Sequence, residues 1–91
     1  MNSRHEDIVT YKWDEHTHTG YLLHYDAEMA HCGLEKCFHV EEWENRTIVD
    51  DWWCNSIEEA LRVLSQFFEL DTQREEASLQ PRIEKLAVQA A

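Results

Sequence analysis

Four residues able to ligate a soft metal fall within nine positions: His31, Cys32, Cys37 and His39. Thiolates and imidazoles are the ligands of structural zinc. On a strand, Cys37 and His39, two residues apart, would point to one face. The spacing matches no common zinc finger or knuckle, in which close ligand pairs are separated by a longer insert. We therefore expect no metal and no cofactor, with the cysteines acting as small buried hydrophobes and the histidines as strand residues. A zinc-binding or redox domain using these four residues is an alternative. A Cys37–His39 nucleophile pair would need only a thiol within reach of a base. Nothing nearby supplies an orienting group, however, and acidic surroundings raise a thiol pKa rather than lower it. His16 and His18 are also two apart, but the Thr-Gly context around them is that of a turn. Carboxylates are too abundant for any two to stand out as an acid/base pair. The sequence has no glycine-rich phosphate loop. The expectation is a protein that is not an enzyme.

A second group is unusual in composition rather than in motif. Glu41, Glu42, Trp43, Glu44, Asp50, Asp51, Trp52 and Trp53 set carboxylates and indoles side by side. On strands, alternation puts Asp50 and Trp52 on one face and Asp51 and Trp53 on the other. Indole faces bordered by carboxylates suit Arg, Lys or an organic cation. The whole chain carries 19 acidic against 8 basic residues, a formal charge of −11. From Glu41 to Glu59 seven carboxylates face one Arg46, a net −6 over nineteen residues.

Charge of this sign excludes several partners. Nucleic-acid binding rests on clustered Lys and Arg that displace counterions from phosphates. Here the basic residues are scattered, so no direct nucleic-acid contact is expected, and an anionic membrane surface is disfavoured for the same reason. The expected function is a small acidic interaction module that binds a basic protein surface, such as an inhibitor that presents carboxylates where phosphates would lie. The alternative from the same residues is a small-molecule binder whose aromatic-acidic pocket takes a cationic ligand. No apolar run is long enough to span a bilayer, and the start Met1-Asn2-Ser3-Arg4-His5-Glu6 is polar rather than a signal peptide. Three cysteines, an odd number, cannot all pair within the chain. Reduced thiols and a cytoplasmic location are the expectation.

The elements that must position these groups can be located by periodicity. Ile8 to Asp14 alternates, with Val9, Tyr11 and Trp13 on one face, and is rich in β-branched and aromatic residues, as strands are. The polar run to Gly20 suits a hairpin connection, and Tyr21 to Tyr25 alternates again, with Leu22 and His24 on its other face. Residues 26–36 admit either a helical turn ended by Gly33 or a continued strand and loop. Cys37 to Trp43 and Thr47 to Trp53 form a third and a fourth strand around a turn at Glu44-Asn45-Arg46. Ser56 with Glu59 three residues on is a capping box, and Ile57, Ala60, Leu61, Leu64 and Phe68 follow at helical spacing. Pro81 suits the first turn of a further helix bearing Ile83, Leu86, Ala87 and Ala90.

The predicted fold class is α+β: an antiparallel sheet of three to four strands, then one long amphipathic helix and a short C-terminal helix packed on one face. Residues 1–91 form a single domain, with the sheet over 8–53, the main helix over 56–70 and the helical tail over 79–90. A sheet with helices on one face leaves the other face uncovered, and apolar residues on both sides of the strands predict a homodimer.

Overall fold

The computed structural model describes residues 6–33 and 35–90; the polar start considered above, residues 1–5, lies outside them. Strands β1 (Glu6–Asp14), β2 (Thr19–Asp26), β3 (Phe38–Glu44) and β4 (Thr47–Cys54) form one antiparallel sheet in the order β1-β2-β3-β4. A short helix α1 (Ala27–His31) interrupts the meander, and α2 (Ile57–Leu64) and α3 (Thr72–Ala90) follow it. The α+β class and the antiparallel sheet are therefore as expected, and the ambiguous segment resolves as a helical turn. Asp26 starts that turn, its carboxylate accepting from the N–H groups of Glu28 and Met29. Gly33, at φ +81°, follows its end.

The register divides the side chains of the sheet between two faces. Leu23 pairs with Val9 and Val40, Val40 with Trp52, and Phe38 with Tyr25 and Cys54. These residues turn toward the helices. Leu23, Tyr25, Phe38, Val40 and Cys54 are buried together with Ala27, Ile57, Ala60, Leu61, Leu64 and Leu79. A fully buried Leu or Val contributes about 1.5–3 kcal/mol relative to an exposed one. α2 spans β3 and β4, while α3 lies against β1 and α1. Tyr11 Oη donates to Glu75 at 2.8 Å, and Arg82 donates to Asp7 at 2.6 Å, fixing α3 along β1.

Two helix expectations need correction. The long helix is α3, not the one begun by Ser56. The Ser56 cap is present, accepting from the Glu59 N–H at 3.1 Å, but α2 ends at Leu64. Beyond it, Gln66 and Phe67 make i→i−3 bonds to Val63 and Leu64, which tighten the backbone out of the α-helix. That turn delivers two aromatic rings to the end of the sheet. Phe67 lies 5.2 Å from Tyr21 and 5.3 Å from Trp52 between centroids, and Phe68 lies 5.4 Å from Tyr21 and 5.8 Å from Tyr11. Asp71 then starts α3, accepting from the Arg74 N–H at 3.1 Å. Pro81 falls in mid-helix instead of the first turn. A mid-helix proline costs about 3 kcal/mol. Leu79 before it and Ile83 and Leu86 after it pack on the same core, and that packing overrides the local preference.

Trp13 also changes sides. The register of β1 against β2 slips between Tyr11 and Asp14, and Lys12 sits at φ +52°. Such a bulge reverses the alternation beyond it. Trp13 consequently meets Trp43 edge-on at 6.3 Å and stacks on His18 at 5.9 Å, instead of joining Val9 and Tyr11. Gly20 makes the bulge possible. A Cβ there would lie 2.5 Å from the Lys12 carbonyl oxygen, and its φ of +141° is one that side chains rarely permit.

Candidate functional site

The acidic-aromatic residues do lie on one hairpin, β3–β4, joined by Asn45 and Arg46 at φ +50° and +66°. Positive φ at both central residues is the condition for a tight turn whose twist matches its strands. Arg46, the lone cation of the hairpin, is turned away from the carboxylates. Its guanidinium donates to the His16 carbonyl at 3.2 Å, and its N–H donates to the His18 carbonyl at 3.3 Å.

Pairing across the hairpin sets carboxylate against carboxylate: Glu41 opposite Asp51, and Glu42 opposite Asp50. Like charges directly opposed destabilise a sheet. The two pairs lie on different faces. Glu42 and Asp50 share the helix-side face with Trp52, where the Tyr21 hydroxyl donates to Glu42 at 3.3 Å. Glu41, Trp43, Asp51 and Trp53 occupy the open face. Glu44 is exposed beside the turn, opposite Thr47. The eight residues therefore do not form one site. The structure brings four of them together on the open face and divides the others between the opposite face and the turn.

On the open face, histidines lie between the carboxylates. His24 Nε2 lies 2.7 Å from Glu41 Oε1, and His39 Nε2 lies 2.8 Å from Asp51 Oδ2. The other nitrogen of His39 is 3.6 Å from Glu41 Oε2. A neutral imidazole can donate from one nitrogen only, whereas the imidazolium donates from both and answers both carboxylates. Trp43 Nε1 donates to Glu41 Oε1 at 3.1 Å. The His39 ring stacks on Trp53 at 3.9 Å between centroids and 4° from parallel. This packing leaves the Glu41 side chain only 12% exposed, on a face that no helix covers among the described residues, while Asp51 and Trp53 are each 47% exposed.

His24 and Trp13 belong to this surface and were not among the sequence candidates. For His24 the signal was present, because the alternation of Tyr21 to Tyr25 already set it opposite Leu23. For Trp13 it was not, because the bulge at Lys12 has no glycine or asparagine to announce it.

The Cys/His group is dispersed. His31 and Cys32 are exposed at the end of α1, Cys37 is buried just before β3, and His39 is engaged on the open face. Among the described residues, no three His, Cys, Asp or Glu side chains are placed to hold a metal ion. Burial raises the pKa of both inner thiols. Asp26 adds to that rise at Cys37, and the Cys54 thiol, with Glu59 adding and Lys36 opposing, is pushed up to about 11. The Cys37 thiol, two residues before His39 in sequence, lies in the core, where burial raises its pKa.

A cleft of about 360 Å³ opens where the two hairpins end, lined by Tyr21, Glu42, Trp43, Glu44 and neighbouring backbone. Among the described residues, no helix is long and apolar enough to cross a membrane. The fold and the site define an α+β domain with a helix-covered core and an acidic, tryptophan-bearing open sheet face. No protein-family model, curated protein or solved structure matches the chain.

Proposed function

We propose that the protein is a non-enzymatic interaction module that engages a basic protein surface through the open face of its sheet. One observation carries the reading: Glu41 and Asp51 stand among Trp13, Trp43 and Trp53 on the face opposite the helices. Carboxylates steer a cationic surface and set its salt dependence. The half-exposed indole of Trp53, beside the partly buried Trp13 and Trp43, supplies the desolvated anchor that charge alone lacks. The net −11 favours a basic partner over a second acidic copy. The homodimer expected from the sequence would use this same face, and a mass that doubles with concentration in light scattering would favour it.

The test is titration with a basic protein domain at low and moderate salt. The wild type is compared with Glu41→Gln/Asp51→Asn and with Glu42→Gln/Asp50→Asn, which removes the same charge from the helix-side face. Affinity should fall with salt, and more for the open-face pair. Affinity insensitive to salt and to both double variants would reduce the face to a solvated surface. The cleft between Tyr21, Glu42, Trp43 and Glu44 favours a second reading, a cationic small molecule held by indole and carboxylates. A thermal-shift screen of ammonium and guanidinium compounds tests it, and a hit abolished by Glu42→Gln but not by Asp51→Asn would select it.

A further inference from the structure

β4 is an outer strand of the sheet, with β3 as its strand partner. Its residues from Thr47 to Asp51 are exposed, as is Trp53, and Ile48 and Val49 are about half exposed. The other outer strand, β1, has α3 fixed along it through Tyr11 and Asp7. The register slip between Glu42 and Trp43 leaves Val49 as the extra residue of a bulge near the turn. Beyond it, Asp50 to Cys54 pairs regularly with β3. The Asp51 N–H is bonded to the Asp50 carboxylate at 2.9 Å rather than into the ladder, so it belongs to the outward row of backbone groups. Alternation places the backbone of Trp53 in the same row.

Such an edge is a template for another strand. Charge decides which strand. Pairing β4 with itself, antiparallel about a two-fold axis at Asp51, sets Asp51 of each copy directly opposite Asp51 of the other. That register places like charges together. A basic strand meets the opposite situation. On the open face its alternate side chains would lie beside Asp51 and beside the indole of Trp53, whose other partner is His39. Its backbone carbonyl would take over the Asp51 N–H and release the Asp50 carboxylate toward a further cation.

We infer that the partner docks as an extended basic segment that adds a fifth strand along Asp50–Cys54, with Lys or Arg on the residues facing Asp51 and Trp53. The inference rests on the acidic-face reading above and specifies its geometry. The experiment uses two end-blocked eight-residue peptides of alternating Lys and Val, one plain and one N-methylated at every residue so that neither edge can donate. Both are titrated into ¹⁵N-labelled protein at low and moderate salt. The plain peptide should bind at least tenfold more tightly, since several backbone hydrogen bonds are lost on methylation. The shifted amides should include Asp51 and Trp53, and binding should weaken with salt. Equal, salt-sensitive binding of the two peptides would overturn strand addition while leaving the acidic face intact. Shifts centred on β1 would overturn it too. Absence of binding by either peptide would sink both readings.

Discussion

On the helix-covered side of β3, Val40 sits between Leu23 and Trp52 and is fully buried. One residue along the same strand, Glu41 sits between Leu22 and Asp51 on the open side and is nearly as enclosed. Val40 is covered by α2 and the hydrophobic core. Glu41 is enclosed by His24, His39 and Trp43, each of which also answers its charge by a short polar contact or an ion pair. The first face is held by apolar area removed from water, which is directionless and is not weakened by ionic screening. The second is held by contacts that depend on protonation, geometry and screening. One sheet therefore combines an apolar, helix-packed face with a face held by polar and ionic contacts.

The contrast is broken most easily by truncating each face in turn. Leu64→Ala on the covered side should cost about 2–5 kcal/mol, because it opens a cavity in a packed core. Trp53→Ala removes a larger side chain, but one half exposed and stacked on His39 outside the core, and should cost less than Leu64→Ala. Chemical denaturation of both variants checks the order. Equal losses would mean that the open face carries core-like stability.

The cysteines sharpen the same contrast without a change of fold. Cys32 is exposed, whereas Cys37 and Cys54 are buried. In the native protein a thiol reagent should modify one cysteine quickly and the other two only on unfolding. Alkaline pH extends the test. The Cys54 thiol is raised from 9.0 to about 11, so between those values the unfolded chain has released a proton that the folded chain retains. Stability should be complete with respect to this group below pH 9 and should fall as pH rises toward 11. Tyr11, also raised by burial and by its bond to Glu75, acts with the same sign at higher pH. Cys54→Ala should flatten the fall between pH 9 and 11, as followed by urea denaturation. An unchanged slope would place the titrating group elsewhere.

Ser56→Ala at the head of α2 should cost about 1 kcal/mol, since the Glu59 N–H loses its acceptor while the buried stripe remains. This cap shows what was legible in the sequence. Local chemistry with a fixed offset, such as Ser56 to Glu59 or the alternation of Tyr21 to Tyr25, has the same meaning in any fold. The end of α2 was not legible, because Phe68 continues the helical stripe on paper. What removes it from the helix is contact with Tyr11 and Tyr21, tens of residues away in the chain. Asp71 does not stand out as a helix start in the sequence, because the polar run after it, Thr72 to Ser78, carries no apolar stripe. The candidate site was legible by composition alone. Which carboxylate shares a face with which indole depended on cross-strand register, and the place of Trp13 on a bulge that Gly20 permits.

The smallest expected effect distinguishes the two opposed carboxylate pairs. On the open face, Glu41 and Asp51 have His39 between them; on the helix-side face, Glu42 and Asp50 have no histidine in the described contacts. If the imidazole offsets the repulsion, removing one charge should act differently on the two faces. Asp50→Asn relieves a like-charge pair, and its side-chain oxygen can still accept from the Asp51 N–H. It should stabilise the protein by about 0.2–1 kcal/mol, the range of a directly opposed cross-strand pair. Asp51→Asn relieves the other pair but weakens the contact with His39, so its gain should be smaller or reversed. Added salt should shrink the Asp50→Asn gain by screening the repulsion that it removes. Denaturation curves for both variants at two salt concentrations resolve the difference, and matched gains would mean that His39 does nothing to hold the open-face carboxylates together.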